Sequence, residues 1–113
     1  MKIDIREVDG VTILDVSGEM YGGPENARLV EVLEDLAAKG RLDVVLNLGK
    51  VKWVASTGLG IMMRARAKFA SAGGKIRLCE LNDRVVSLLH VTKMNLLFDV
   101  YAREAEAVAA ARG

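Results

Sequence analysis

The segment Trp53-Val54-Ala55-Ser56-Thr57-Gly58-Leu59-Gly60 decides how this chain is read. Ahead of it stands Asp43-Val44-Val45-Leu46-Asn47-Leu48, whose unbroken Val-Val-Leu run predicts a strand covered on both faces. Behind it, Leu59, Met62, Met63, Arg66 and Phe69 recur at helical spacing until Gly73-Gly74 stops the pattern. Two hydroxyls and two glycines therefore fall at a predicted strand-to-helix junction, where the first amides of a helix have no intrahelical partner. A hydroxyl there can cap the helix, and once phosphorylated it places an anion on the helix dipole.

Working outward, Lys2 to Val8 alternates, with Ile3, Ile5 and Val8 expected inside. Asp9-Gly10 signals a hairpin turn, and Val11 to Val16 alternates again. Gly18 to Gly23 reads as a loop, and Pro24 suits the first turn of a helix over Glu25 to Lys39. That helix carries Leu29, Leu33, Leu36 and Ala37 on one face, an Asp35–Lys39 pair on its wet side, and Gly40 at its end. Beyond Gly74, Lys75 to Leu81 is an expected strand with Ile76 and Leu78 inward. Asn82 or Asp83 caps a short helix burying Val85, Leu88, Leu89 and Val91. Leu97 to Tyr101 reads as a final strand, and Arg103 to Arg112 as an alanine-rich last helix. The order β-β-α-β-α-β-α-β-α predicts an α/β fold, a mixed sheet with helices packed on it. In such sheets sites collect at the carboxyl ends of strands, where Ser56 and Thr57 fall.

The bulk numbers agree. A chain of 113 residues is the size of one domain, expected over 1–113. It is 51% hydrophobic but only 4% aromatic, so its core is aliphatic. A net charge of +1 without a basic block argues against a protein held to nucleic acid by phosphate contacts. The single Cys79 and single His90 build no metal cluster; no metal and no cofactor are expected, and Cys79 reads as a buried small hydrophobe. The start, Met1-Lys2-Ile3-Asp4-Ile5-Arg6-Glu7, has no continuous apolar segment, and Trp53 to Met63 is too short to span a bilayer. These features predict a cytoplasmic protein with no membrane insertion.

Val44-Val45-Leu46-Asn47-Leu48, then Ser56-Thr57-Gly58-Leu59-Gly60, then Ala72-Gly73-Gly74, resembles the STAS domain and, more narrowly, the bacterial anti-sigma factor antagonists. The likeness runs over nearly the whole chain. In that family the motif reads Asp-Ser-Ser/Thr-Gly-Leu-Gly, and its first hydroxyl residue is the phosphoacceptor. The resemblance assigns that role to Ser56, with Thr57 as second choice. Two positions depart from the pattern: the preceding acid is Ala55 here, and the Asp usual after the second strand is Tyr21, within Gly18-Glu19-Met20-Tyr21.

The resemblance implies partner switching. The usual partner is an anti-sigma factor that is also a serine kinase of the ATPase fold. It is bound by the unmodified antagonist and released by phosphorylation, with a phosphatase to reset the system. The expected docking residues are Tyr21, Ser56, Thr57, Gly58, Leu59, Gly60, Met63 and Arg64. Backbone amides of Gly58, Leu59 and Gly60 are expected to hold the phosphate. The two glycines read either as bare backbone for a kinase or as room for the helix to pack on the sheet. Ser56 reads alternatively as an ordinary cap, one of Met62 and Met63 as core, and Arg64, Arg66 and Lys68 as a solvated face. Trp53 is expected beneath the loop that holds Ser56, and His90 is expected to be structural or solvated rather than catalytic. A second reading is a STAS scaffold or accessory subunit of a stress-sensing complex or membrane transport system, without phosphorylation. Catalysis is not expected, because the chain offers neither a Ser-His-acid set nor a Gly-rich phosphate loop with its lysine.

Overall fold

The structure, a computed structural model, describes residues 2–20 and 24–113, and for 24–26 the backbone only. The elements follow the expected order: β1 (Lys2–Val8), β2 (Val11–Met20), α1 (Pro24–Ala38), β3 (Asp43–Val54), α2 (Ser56–Ser71), β4 (Lys75–Cys79), α3 (Asp83–Val91), β5 (Asp99–Tyr101) and α4 (Glu104–Arg112). A short 3-10 turn at Met94–Leu96 leads into β5. The strands form one sheet in the order β1-β2-β3-β4-β5, antiparallel between β1 and β2 and parallel from β2 onward.

Alternation along the strands builds two unequal cores. Leu14, Val16, Val44, Leu46, Ile76 and Leu78 face α1, α2 and α3, and Leu29, Leu33, Met62, Phe69, Val85 and Leu89 close over them. On the opposite face Ile13, Val45 and Cys79 meet Ala107 and Val108 of α4. Val44 to Leu46 is thus buried on both sides, as its aliphatic run predicts. The Asp35–Lys39 pair forms at 2.9 Å.

Several boundaries differ from the sequence reading. β2 runs on to Met20 through residues expected in a loop, and β3 continues past Leu48 to Val54, pairing Ser17 with Lys50 and Met20 with Val54. In this stretch Gly49, Lys50 and Lys52 interrupt the aliphatic pattern, because only one face, carrying Val51 and Val54, is covered. β4 stops at Cys79, where Glu80 turns left-handed at φ 60. Leu97 lies before β5, after the 3-10 turn. Ile5 is 57% exposed although it shares a face with buried Ile3: β1 is an edge strand, and a groove remains between Ile5 and the last turn of α1. Val91, expected inside, is 78% exposed at the end of α3. Tyr21 and the glycines after it lie outside the described residues.

Candidate functional site

The β2–β3 extension ends where α2 begins. Ala55 is the N-cap, with extended backbone at φ −79 and ψ 165, and its methyl side chain makes no cap hydrogen bond. The Ala55 amide donates to the Met20 carbonyl at 2.9 Å, which ties the start of α2 to the tip of β2. Ser56 follows as the first helical residue. Its hydroxyl therefore does not cap, contrary to the simpler reading of this serine. The amide of Leu59 donates to the Ala55 carbonyl at 3.0 Å, and Gly60 follows it in the helical ladder. The expectation that Leu59 and Gly60 amides hold an anion is thereby corrected. The amides ahead of the ladder belong to residues 56–58.

Helical periodicity then sorts the motif by face. Ser56, Thr57, Gly60, Met63 and Arg64 are exposed, whereas Gly58 and Leu59 point inward. Met62 is core at 1% exposure, while Met63 is 46% exposed. The two glycines divide between their two readings. A Cβ on Gly58 would stand 2.2 Å from the Met20 carbonyl oxygen, so close packing on the sheet demands glycine there. A Cβ on Gly60 would meet nothing within 4 Å. Gly60 in a helix interior costs about 1 kcal/mol relative to alanine, and no internal contact of that Cβ position offsets it.

Around this face, α3 supports the end of β3. Asn82 caps α3 by accepting the Val85 amide at 2.9 Å, and its side-chain amide donates to the Val51 and Lys52 carbonyls, each at 3.1 Å. Those carbonyls lie beyond the end of β4, so one side chain stands in for a missing strand. Arg84 of α3 places its guanidinium 4.6 Å from the centre of the half-buried Trp53 ring. The expected basic side of α2 is split three ways: Arg66 donates to the Leu97 carbonyl at 2.7 Å, Lys68 pairs with Glu34 at 3.1 Å, and Arg64 is left exposed.

A polar network that the sequence did not announce lies on the α4 face. Arg6 of β1 forks onto Asp15 of β2 and reaches Glu104 of α4 at 2.5 Å; Asn47 of β3 donates to the same Glu104 oxygen at 3.0 Å. Glu80 accepts the Glu104 amide at 2.7 Å and so serves the first turn of α4. Hydrogen bonding from Arg6 holds both the Asp15 and the Glu104 carboxyl below the usual range. Burial pushes the Cys79 thiol up to about 12, which leaves it an inert packing group. His90 is exposed on α3. Among the described residues no group of His, Cys, Asp and Glu is arranged to hold a metal ion, and no helix is long and apolar enough to cross a membrane. Only long-range pairing could have revealed the Arg6–Asp15–Glu104 set; the signal for Asn82 was its place after a strand and before an apolar helix.

Comparison with known proteins agrees with the fold. The STAS domain profile matches residues 2–107. BtrV of Bordetella bronchiseptica, a candidate anti-sigma factor antagonist, is 32% identical over 114 residues, covering 98% of this chain and 94% of that protein. The anti-sigma-B factor antagonist of Bacillus subtilis is 27% identical, covering 91% of this chain and 93% of its own. Among solved structures, a candidate anti-sigma factor antagonist of Thermotoga maritima superposes with a TM-score of 0.84 at 27% identity, covering 98% of this chain and 95% of that one. With the STAS domain profile matched over residues 2–107 and a relative 32% identical over nearly its whole length, the chain belongs to the STAS domain family.

Proposed function

We propose that this protein is an anti-sigma factor antagonist that docks an anti-sigma factor through the exposed face around Ser56, and that phosphorylation of Ser56 breaks the complex. The observation that carries this reading is the position of Ser56: exposed and first in α2, directly after an alanine N-cap that makes no side-chain cap bond. The partner is an anti-sigma factor of the ATPase fold acting as the kinase, and a phosphatase resets the serine. Thr57 is the second choice of acceptor. Met63, Arg64 and the bare Gly60 backbone extend the docking face along α2; Tyr21, the residue after β2 in the sequence, is the remaining docking residue of this reading. Gly58 and Leu59 serve it from beneath, by setting the pitch of α2 on the sheet.

Phosphate adds about −1.5 to −2 charges and three acceptor oxygens at the centre of this face. The positive end of α2 accommodates that charge without unfolding the helix. Release then comes from desolvation and steric exclusion of the partner rather than from a change of fold. A loss of about 3 kcal/mol at the interface weakens binding about a hundredfold.

Affinity capture from native lysate with and without ATP, followed by mass spectrometric mapping of phosphate, tests the reading. The unmodified chain and Ser56→Ala are expected to retain a kinase of the ATPase fold, Ser56→Asp to lose it, and phosphate to map to Ser56. Equal retention by both variants rejects the switch. The second reading, a scaffold or accessory STAS subunit, is favoured by Ala55 and Tyr21 at the two positions usually acidic. It predicts a stable complex and no phosphate at Ser56.

A further inference from the structure

Around the amino ends of the parallel strands five cations have a carboxylate: Lys39 with Asp35, Arg41 with Glu7, Lys75 with Asp99, Arg77 with Asp43 and Arg112 with Asp9. Arg66 there donates to the Leu97 carbonyl instead, and at the other end Arg103 pairs with Glu80. Near the carboxyl ends, where the helices begin, Lys52, Arg64 and Arg84 have no carboxylate partner among the described residues. All three are exposed, one each on β3, α2 and α3. Lys52 is four residues before Ser56 on β3. Arg64 lies about 12 Å along the α2 axis from it, with a side chain that leans back toward the helix start. Arg84 is held over Trp53, three residues before Ser56.

The nearby acids do little to cancel these cations. Asp83 sits in the first turn of α3, where it complements that helix's own dipole. Glu19, at the end of β2, is an exposed acid already engaged by a neighbour. The two positions that hold acids in the family are Ala55 and Tyr21 here. Contact with the Trp53 ring also restrains the Arg84 guanidinium, so less freedom is lost when its N–H groups meet a carboxylate.

We propose that the Ser56 end of the sheet docks an acidic protein surface, with Arg84, Arg64 and Lys52 as the cations that attract it and Met63 as the apolar contact among them. The inference rests on Ser56 being the centre of the docking face, and it adds the partner's chemistry. It also changes what phosphorylation does. A dianion at Ser56 neutralises the cations that draw the partner in, so release includes the loss of an attraction and is steeper at low salt. A nucleic acid fits less well, because the cations are few and Asp83 stands among them.

The test is an NMR titration of the full chain with poly-L-glutamate at about 50 mM and about 300 mM NaCl, salt levels that lengthen and shorten the screening distance. At low salt the amide shifts are expected at residues 52–64 and 83–87, and to vanish at high salt. Arg84→Gln and Arg64→Gln are each expected to weaken binding about two- to fivefold, the range of an exposed ion pair. Lys93→Gln, which removes an equally unmatched cation from the other end of α3, is expected to leave it unchanged. Ser56→Glu is expected to weaken it as the arginine variants do. Shifts that scatter over the surface, or survive at high salt, overturn the proposal, as does an equal loss in Lys93→Gln. A short DNA duplex that binds the same residues more tightly than poly-L-glutamate overturns it in favour of nucleic acid. None of these outcomes touches phosphate mapping at Ser56, so the proposal and the switch it rests on fail separately.

Discussion

Gly58 lies so close to Met20 that the Met20 carbonyl oxygen, which accepts the Ala55 amide at 2.9 Å, would stand 2.2 Å from any Cβ placed on the glycine. The neighbour is backbone on the last residue of β2, and it cannot swing aside. Gly58→Ala is therefore expected to destabilise the fold by about 1–3 kcal/mol, the cost of overpacking. Gly60→Ala, with nothing within 4 Å of the new methyl, is expected to stabilise it by about 0.5–1 kcal/mol through helix propensity. Urea denaturation of the two variants measures both signs. If Gly60 is kept for the partner's approach, Gly60→Ala gains stability while losing affinity.

Ala55 occupies the N-cap of α2 without a capping side chain. Ala55→Asp supplies a carboxylate to the first-turn amides and an anion to the positive end of the dipole, and is expected to add about 1 kcal/mol of stability. The check is the midpoint of thermal or urea unfolding. A loss of stability would mean that the helix start is already satisfied in another way.

Asn82 joins α3 to the end of β3 with three hydrogen bonds. Asn82→Ala removes a helix cap and leaves two carbonyls of the β3 extension without their donor. The expected cost is about 2 kcal/mol, roughly one for the cap and one for the lost bonds. Hydrogen exchange is expected to rise first in residues 51–57, because this stretch has no β4 beside it. Uniform acceleration over the whole sheet would place the role of Asn82 in global stability instead.

The sequence carried the architecture because its signals were local and strong. The Val44-Val45-Leu46 run, the Asp9-Gly10 turn and the spacing of Leu29, Leu33 and Leu36 each match an observed element. It carried less of the site's geometry. The β2–β3 extension was hidden because Lys50 and Lys52 break its hydrophobic pattern, yet that extension delivers Ser56 to the end of the molecule. The roles of Gly58 and Gly60 could not be separated from spacing alone, since one is decided by a carbonyl on β2, 38 positions earlier in the chain. The Arg84–Trp53 stack and the Arg6–Asp15–Glu104 network join residues that no short-range pattern relates.

That last network gives the fold a dependence on acid. Asp15 and Glu104 are held below their ordinary range chiefly by hydrogen bonds from Arg6. The unfolded chain binds protons more readily at both groups, so their contribution is complete above the unfolded carboxylate range and is lost as pH falls through the folded values. Arg6→Gln is expected to cost about 1 kcal/mol at neutral pH and less at about pH 3. Urea midpoints of the two proteins at both values of pH check this. A gap that widens in acid would contradict it.

In the proposed switch the charge on Ser56 decides whether the partner docks. The affinity of the purified anti-sigma factor for two forms of this chain, one unmodified and one with phosphoserine at position 56, tests it. The phosphorylated form is expected to bind at least about a hundredfold more weakly, with its fold unchanged by circular dichroism. Equal affinity for the two forms would contradict it.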